Sequence, residues 1–236
     1  MINRLNDYLR DHNISLDSEQ IEKFVEYNRL LIEYNSKINL TTITMPLEVT
    51  IKHFFDSLTP AFYLDLEGKS IIDIGAGAGF PGIPLKILFP EIQLTLLDSL
   101  QKRIKFLGVV ADSLELDGVK LIHGRAEELA HDAAHREQYD LAIARAVARL
   151  NVLAELTLPF VKVGGSLLAM KASKAEEELS EATNAIRKLG GQARDIYTLE
   201  LPEDSGERNL ILIDKLAWTP KTYPRRPGEP ARRPLT

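Results

Sequence analysis

The chain has 236 residues, 44% hydrophobic and 27% charged, with a net charge of −5, and is long enough to bury a sizeable core as an α/β domain with modest appendages. It has no cysteine, which excludes a disulfide framework, a thiolate zinc site and a cysteine nucleophile. No run approaches the ~18 apolar residues of a membrane helix, and the first residues are too polar for a signal peptide, so the expected place is the cytoplasm.

Residues 1–66 read as helical. Ile21, Phe24, Val25, Leu31, Ile32 and Ile38 recur at three- and four-residue spacing, with Ser18 as the expected N-cap. The segment ends near residues 37–42, where Asn and Thr favour leaving the helix. A second helical stretch over 46–55 leads into His53-Phe-Phe-Asp-Ser57. Nothing here has a strand period, so 1–66 is expected to be a helical cap. His53 and Asp56 read as a structural pair anchoring it.

From Ser70 the pattern alternates. Strand-like runs cover 71–74, 93–97, 120–123, 141–144, 166–170, 196–201 and 209–214. Helical faces lie between them at Leu100, Ile104, Leu107, Ala111 and Leu114, at Val152, Leu153 and Leu156, and at Leu179, Ala182, Ile186 and Leu189. Ser173-x-x-Glu176 reads as a capping box opening the last helix, and Gly190-Gly191 closes it. The expected fold is α/β and Rossmann-like. Its sheet has seven mostly parallel strands, and the last two pair as an antiparallel edge hairpin over residues 67–216.

The remainder, 217–236, reads as a basic, Pro-rich tail. Residues 215–236 hold six cations against the single acid Glu229, and five of the chain's twelve prolines. An extended rather than helical segment is expected, able to touch phosphates locally although the body is acidic.

The chemistry centres on Asp73-Ile-Gly-Ala-Gly-Ala-Gly79, continuing Phe-Pro-Gly82. Three alternate glycines after a strand let the backbone turn tightly and approach a ligand. Gly77, Gly79 and Gly82 satisfy the dinucleotide spacing, and a plain tight turn explains the same residues. Two details oppose a pyrophosphate. Pro81 removes a backbone donor at the helix start. An acid followed by Gly75, Gly77 and Gly79 resembles the first motif of S-adenosylmethionine-dependent methyltransferases, whose ligand carries an amino group that an acid can meet.

Asp98 ends the second strand, where a carboxylate can take both ribose hydroxyls or cap the next helix. Ala126-Glu127 follow the third strand, at the edge where open sheets hold ligands. The fourth strand ends Ala144-Arg-Ala-Val-Ala-Arg149, without the motif that serves exocyclic amines. Arg145, Arg149 and Lys171 are three cations at one sheet edge, suited to an anionic substrate such as RNA. The histidines form no metal-ligand spacing, and no metal is expected.

Together these residues resemble the bacterial small-subunit rRNA guanine-N7 methyltransferases, also called the glucose-inhibited division protein B family. The matching stretches include Asn39-Leu-Thr41, His53-x-x-Asp56-Ser57, 73–85, Leu97-Asp-Ser99 with Lys102-Arg103, and Arg145-Ala146. They continue through Leu168-Ala-Met-Lys171, Arg208-Asn209 and Tyr223-Pro-Arg-Arg-Pro-Gly228. The resemblance implies a class I methyltransferase fold, S-adenosylmethionine as donor, and methylation of one guanine N7 in 16S rRNA. It carries over cofactor contacts at Gly75, Phe80, Ala126, Glu127 and Arg145; Gly77, Gly79 and Asp98 join them by position. Arg145, Arg149 and Lys171 are the expected catalytic cations. The expected partner is 16S rRNA, a 30S subunit or its assembly intermediate, met by a monomer away from any membrane.

Overall fold

The computed structural model describes residues 2–236. The N-terminal part begins with α1 (Ile2–Arg10) and α2 (Ser18–Ile38). The N-cap of α2 is Asp17 rather than Ser18. Asp17 is extended, its carboxylate accepts from Gln20 N at 2.8 Å, and Gln20 Oε1 accepts from Asp17 N at 3.1 Å, a reciprocal cap one residue earlier than expected. The second helical stretch opens as α3 (Pro46–Glu48), loosens into a π-helix over Val49–Phe55, and ends in α4 (Asp56–Leu58). π turns of this kind tend to gather at functional sites, and this one carries His53.

The sheet contains β1 (Ser70–Ile74), β2 (Gln93–Asp98), β3 (Val119–His123), β4 (Tyr139–Arg145), β5 (Val161–Lys171), β6 (Gly191–Glu200) and β7 (Glu207–Lys215). Its order is β3-β2-β1-β4-β5-β7-β6. β1 to β5 are mutually parallel, and β7 runs antiparallel to both β5 and β6. The expected topology is present, with the hairpin at the β6 edge. Between the strands lie α5 (Gly82–Leu88), α6 (Gln101–Ser113), α7 (Ala126–Leu129), α8 (Leu150–Thr157) and α9 (Ala175–Lys188). The expected capping box on α9 is absent. Lys174 precedes the helix in a left-handed conformation, with no side-chain cap; Glu176 to Glu178 instead complement the positive end of the helix.

Strand alternation sends side chains to two faces. Ile71, Leu96, Ile143, Met170 and Leu210 share a core with Phe24, Tyr27 and Phe54 of the helical cap. Ile72, Ala144, Ala169 and Ile211 pack instead on α8 and α9 residues such as Leu153 and Ile186. The tail also departs from expectation. It is anchored on this second layer, with Pro230 and Leu235 buried, and it includes the one-turn helix α10 (Glu229–Arg232). Among the described residues no helix is long and apolar enough to cross a membrane.

Candidate active site

The loop after β1 is held from below. Asp73 Oδ2 accepts from Gly82 N at 2.9 Å, Asp98 Oδ2 accepts from Gly77 N at 2.9 Å, and the Tyr27 hydroxyl donates to Ala78 O at 2.5 Å. Asp73 is fully buried beneath the loop and does not line the cleft above it. Burial pushes its carboxyl up to about 7, against the backbone donor of Gly82 and the charge of Arg145.

Its glycines have separate tasks. All three alternate glycines have positive φ, Gly75 at 73°, Gly77 at 63° and Gly79 at 98°. A Cβ on Gly77 would find nothing nearer than Gly75 O at 3.8 Å, so this position opens onto the cleft. A Cβ on Gly79 would meet Tyr27 Oη at 2.6 Å and Ile83 at 2.8 Å. Gly79 therefore serves the packing of loop on cap and lies outside the cleft.

A cleft of about 450 Å³ opens above this loop at the carboxyl ends of β1, β2 and β4, lined by Gly75, Gly77, Phe80, Asp98, Arg103 and Arg145, with Thr41 and His53 on the cap side. It adjoins a smaller recess of about 140 Å³ that holds Ala126 and Glu127 and shares Gly75, Asp98 and Val147 with it. The sequence-predicted cofactor residues, Gly79 excepted, thus line one or the other of two adjoining cavities. Asp98 is almost wholly buried, and also accepts from Leu100 N at 2.8 Å and Arg103 Nη1 at 3.2 Å. It supports the loop and faces the cleft, but it does not cap α6: Leu100 precedes that helix without a side-chain cap, and Asp98 Oδ1 meets only the N–H of Leu100 itself. Another cavity, of about 340 Å³, lies at the opposite edge of the sheet around Asp140 and Arg194. Both of those charges are paired, with Lys162 and Asp214 respectively.

Sequence patterns alone gave no role to most of the cap-side wall. His53 stacks on Phe80 with centroids 4.5 Å apart, and the Arg145 guanidinium lies 5.2 Å from the same ring. Burial, assisted by the Arg145 charge, lowers His53 to about 3, so it is neutral at pH 7. Thr41 Oγ1 accepts from Ile43 N and pairs with His53 Nε2 at 2.8 Å. The buried carboxylate of Asp56 accepts from Arg145 Nη1 at 2.8 Å and from Arg208 Nε at 2.5 Å. Asp56 thus anchors the cap through two arginines rather than through His53. The sequence signals for these residues were the short stretches Asn39-Leu-Thr41, His53-x-x-Asp56 and Arg208-Asn209.

The three expected cations do not converge. Arg145 pairs with Met170 across the β4–β5 ladder, and Met170 with Leu210 across β5–β7. Arg145 and Arg208 therefore share the cap face. Lys171 is one residue further along β5 and points to the other face. There its ammonium donates to Ala148 O at 2.5 Å and pairs with Glu178 Oε2 at 2.8 Å, with the side chain 10% exposed. Lys171 holds the loop that follows β4 instead of facing substrate. Arg149 precedes α8, is exposed, and pairs with Glu181; it lines neither cavity.

The family model described as rRNA small subunit methyltransferase G matches residues 20–211. A ribosomal RNA small subunit methyltransferase G of Staphylococcus aureus (strain Newman) is 53% identical over 232 residues, covering 98% of this chain and 97% of the relative. Among solved structures, a 16S rRNA (adenine(1408)-N(1))-methyltransferase from Catenulisporales acidiphilia aligns with a TM-score of 0.55 at 14% identity, over 66% of this chain and 88% of that one. A SAM-dependent methyltransferase from Aquifex aeolicus gives 0.55 at 14% identity over 74% and 96%. At that identity these two speak for the fold, which is that of class I methyltransferases. The long sequence match over cap, loop and sheet together decides the family: the chain belongs to the rRNA small subunit methyltransferase G family.

Proposed function

We propose that this protein transfers a methyl group from S-adenosylmethionine to N7 of a guanine in 16S rRNA. The observation that carries the reading is the pair of adjoining cavities, one lined by Gly75, Gly77, Phe80, Asp98 and Arg145, the other by Gly75, Asp98, Ala126 and Glu127. Their residues suit the donor. The cleft leaves space above Gly77 that a Cβ would enter, and Asp98 is a carboxylate acceptor on its wall. Ala126 and Glu127 line a small recess for a flat ring. When bound, S-adenosylmethionine supplies an electrophilic sulfonium methyl.

The chain's own residues then have a limited task. Guanine N7 carries a lone pair and no proton at neutral pH, so an in-line transfer needs no general base. The neutral His53, stacked on Phe80, lines the cap-side wall of the cleft in which the base is oriented. Arg145, held by Asp56 and Lys52 O, keeps further donors for the cofactor or the guanine O6. Orientation of base and methyl can supply ~7–11 kcal/mol in favourable cases. Arg149 and the exposed tail arginines provide phosphate contacts. The reading also makes the protein a cytoplasmic monomer acting on rRNA, either free or within a 30S particle.

The test is radiolabelled methyl transfer to deproteinised 16S rRNA and to unmethylated 30S particles, followed by nucleoside mass spectrometry. The expected product is 7-methylguanosine at one position. Label on a ribose or an exocyclic amine would overturn the chemistry, and no label at all would overturn the activity.

A further inference from the structure

The tail follows a path that its composition alone does not explain. Arg136, just before β4, donates from Nη2 to Thr219 O at 2.8 Å and from Nη1 to Tyr223 O at 2.9 Å. His131 Nε2 meets Pro224 O at 2.8 Å. Arg225 then grips Glu155 of α8, whose side chain is fully buried. Its Nη2 lies 2.6 Å from Oε2, its Nε 2.9 Å from Oε1, and its backbone N–H reaches Oε1 at 2.8 Å. Three residues on, Gly228 N donates to Glu127 Oε1 at 3.0 Å. Leu235 finally tucks into the second core, and Asn151 Nδ2 points to its carbonyl.

One segment thus joins α7, which bears Ala126 and Glu127, to α8, which follows the Arg145–Arg149 loop. Glu127 has no other side-chain hydrogen bond or ion pair among the described residues, so the strap alone fixes one of its oxygens. The opposite side of the segment is exposed at Arg226, Arg232 and Arg233. We infer that residues 219–236 form a strap that positions Glu127 for the methyl donor, with Arg225 as its positioning residue, so that the tail builds the cofactor pocket as well as meeting RNA. A free Glu127 side chain and a loosened α7 must be ordered when the donor binds, and that ordering opposes binding. Arg225 is fitted to the task because its planar fork meets Glu155 at two nitrogens, a geometry that lysine cannot reproduce.

The inference rests on the proposed cofactor site, and calorimetric titration of the full-length protein with S-adenosylmethionine separates the two. Arg225→Ala is expected to weaken binding about three- to tenfold, the equivalent of one hydrogen bond. In turnover the KM for S-adenosylmethionine rises, while kcat at saturation and the KM for RNA are kept; Arg225→Lys recovers part of the loss. A strap that merely stabilises the fold would lower the melting temperature and leave the cofactor KM unchanged, and that result overturns the proposal. If Arg225→Ala does not fold, Gly228→Ala serves. Its φ of 78° is strained for alanine, yet a Cβ there has open space, so the disturbance is to the backbone, at the donor facing Glu127 and at the carbonyl that accepts from Arg232. Unchanged affinity in that variant likewise overturns the strap. Wild-type protein that binds no S-adenosylmethionine would remove the cofactor site and the strap's role together.

Discussion

Arg145 and Asp56 lie 89 positions apart and meet at 2.8 Å, their side chains 13% and 1% exposed. This pair joins the helical cap to the carboxyl end of β4. Arg208 completes it from β7, so one carboxylate ties three segments together at the cleft. Asp56→Ala would leave two guanidiniums without their partner, and breaking a buried pair in this way costs about 3–5 kcal/mol. Urea denaturation should show that loss as a lower midpoint with an unchanged slope. Asp56→Asn, which keeps an acceptor, should lose less.

Lys171 tests a different link. If its ammonium holds Ala148 O and Glu178 as the structure shows, Lys171→Met should destabilise the protein by about 1–3 kcal/mol, the cost of leaving buried partners unsatisfied. Turnover should fall because the loop beginning at Arg145 loosens. The salt dependence of RNA binding should not change, since no phosphate contact is lost. A shallower salt slope in filter-binding assays would restore Lys171 to the RNA surface.

How far the sequence could be read follows from which signals are local. Strand-like runs alternating with helical faces located all seven strands. The glycine loop, Asp98 and Ala126-Glu127 were also legible, because strand ends in a parallel sheet lie at one edge. Lys171 was misplaced for a reason of one residue: its position on β5 decides the face, and strand ends are uncertain by that amount. Arg225 and Glu155 are 70 residues apart, a partnership that composition cannot announce. The tail's prolines and arginines read as an extended basic arm, whereas Arg136 and Glu155 convert it into a packed strap. Gly79 looked like its neighbours until Tyr27, 52 positions earlier in the chain, was seen against it.

Two buried groups near the loop should oppose one another on acidification. Burial raises Asp73 to about 7 from the 3.8 of an ordinary aspartate. The folded state therefore holds a proton that the unfolded state has lost between those values, and stability from this group rises as pH falls from about 7 to 4. His53 is lowered to about 3 from 6.5. Here the unfolded state takes up the proton first, so stability falls as pH drops through about 6.5 toward 3. Thermal midpoints between pH 4.5 and 7.5 should make Asp73→Asn more acid-sensitive than the parent and His53→Asn less so. The reverse order would contradict both assignments.

The outer side of the strap gives a separate signal from its inner side. Arg226, Arg232 and Arg233 are exposed on a segment already anchored by Pro230 and Leu235. Replacing all three by alanine should reduce the slope of log K against log salt for RNA by about 2, at roughly 0.7 counterion per lost phosphate contact on a single strand. Affinity for S-adenosylmethionine should stay at the parental value, because Arg225 and Gly228 are untouched. An unchanged slope would place the RNA elsewhere.

The glycine loop separates backbone geometry from packing. Gly77→Ala adds a methyl group into the open cleft and pays mainly for left-handed backbone, about 1–2 kcal/mol. Gly79→Ala carries the same strain and drives a methyl group into Tyr27, Ile83 and Leu107, all within 2.9 Å of an ideal Cβ. Overpacking adds about 1–3 kcal/mol, so Gly79→Ala should be the less stable variant by that margin. Function should reverse the ranking of cause. In Gly77→Ala the folded protein should bind cofactor more weakly, beyond the modest loss of stability that the backbone strain brings, since the methyl group occupies the cleft. In Gly79→Ala, cofactor affinity of the folded fraction should fall less than stability does. Equal effects of the two substitutions on melting and on cofactor affinity would show that the loop glycines are not divided between cleft and cap.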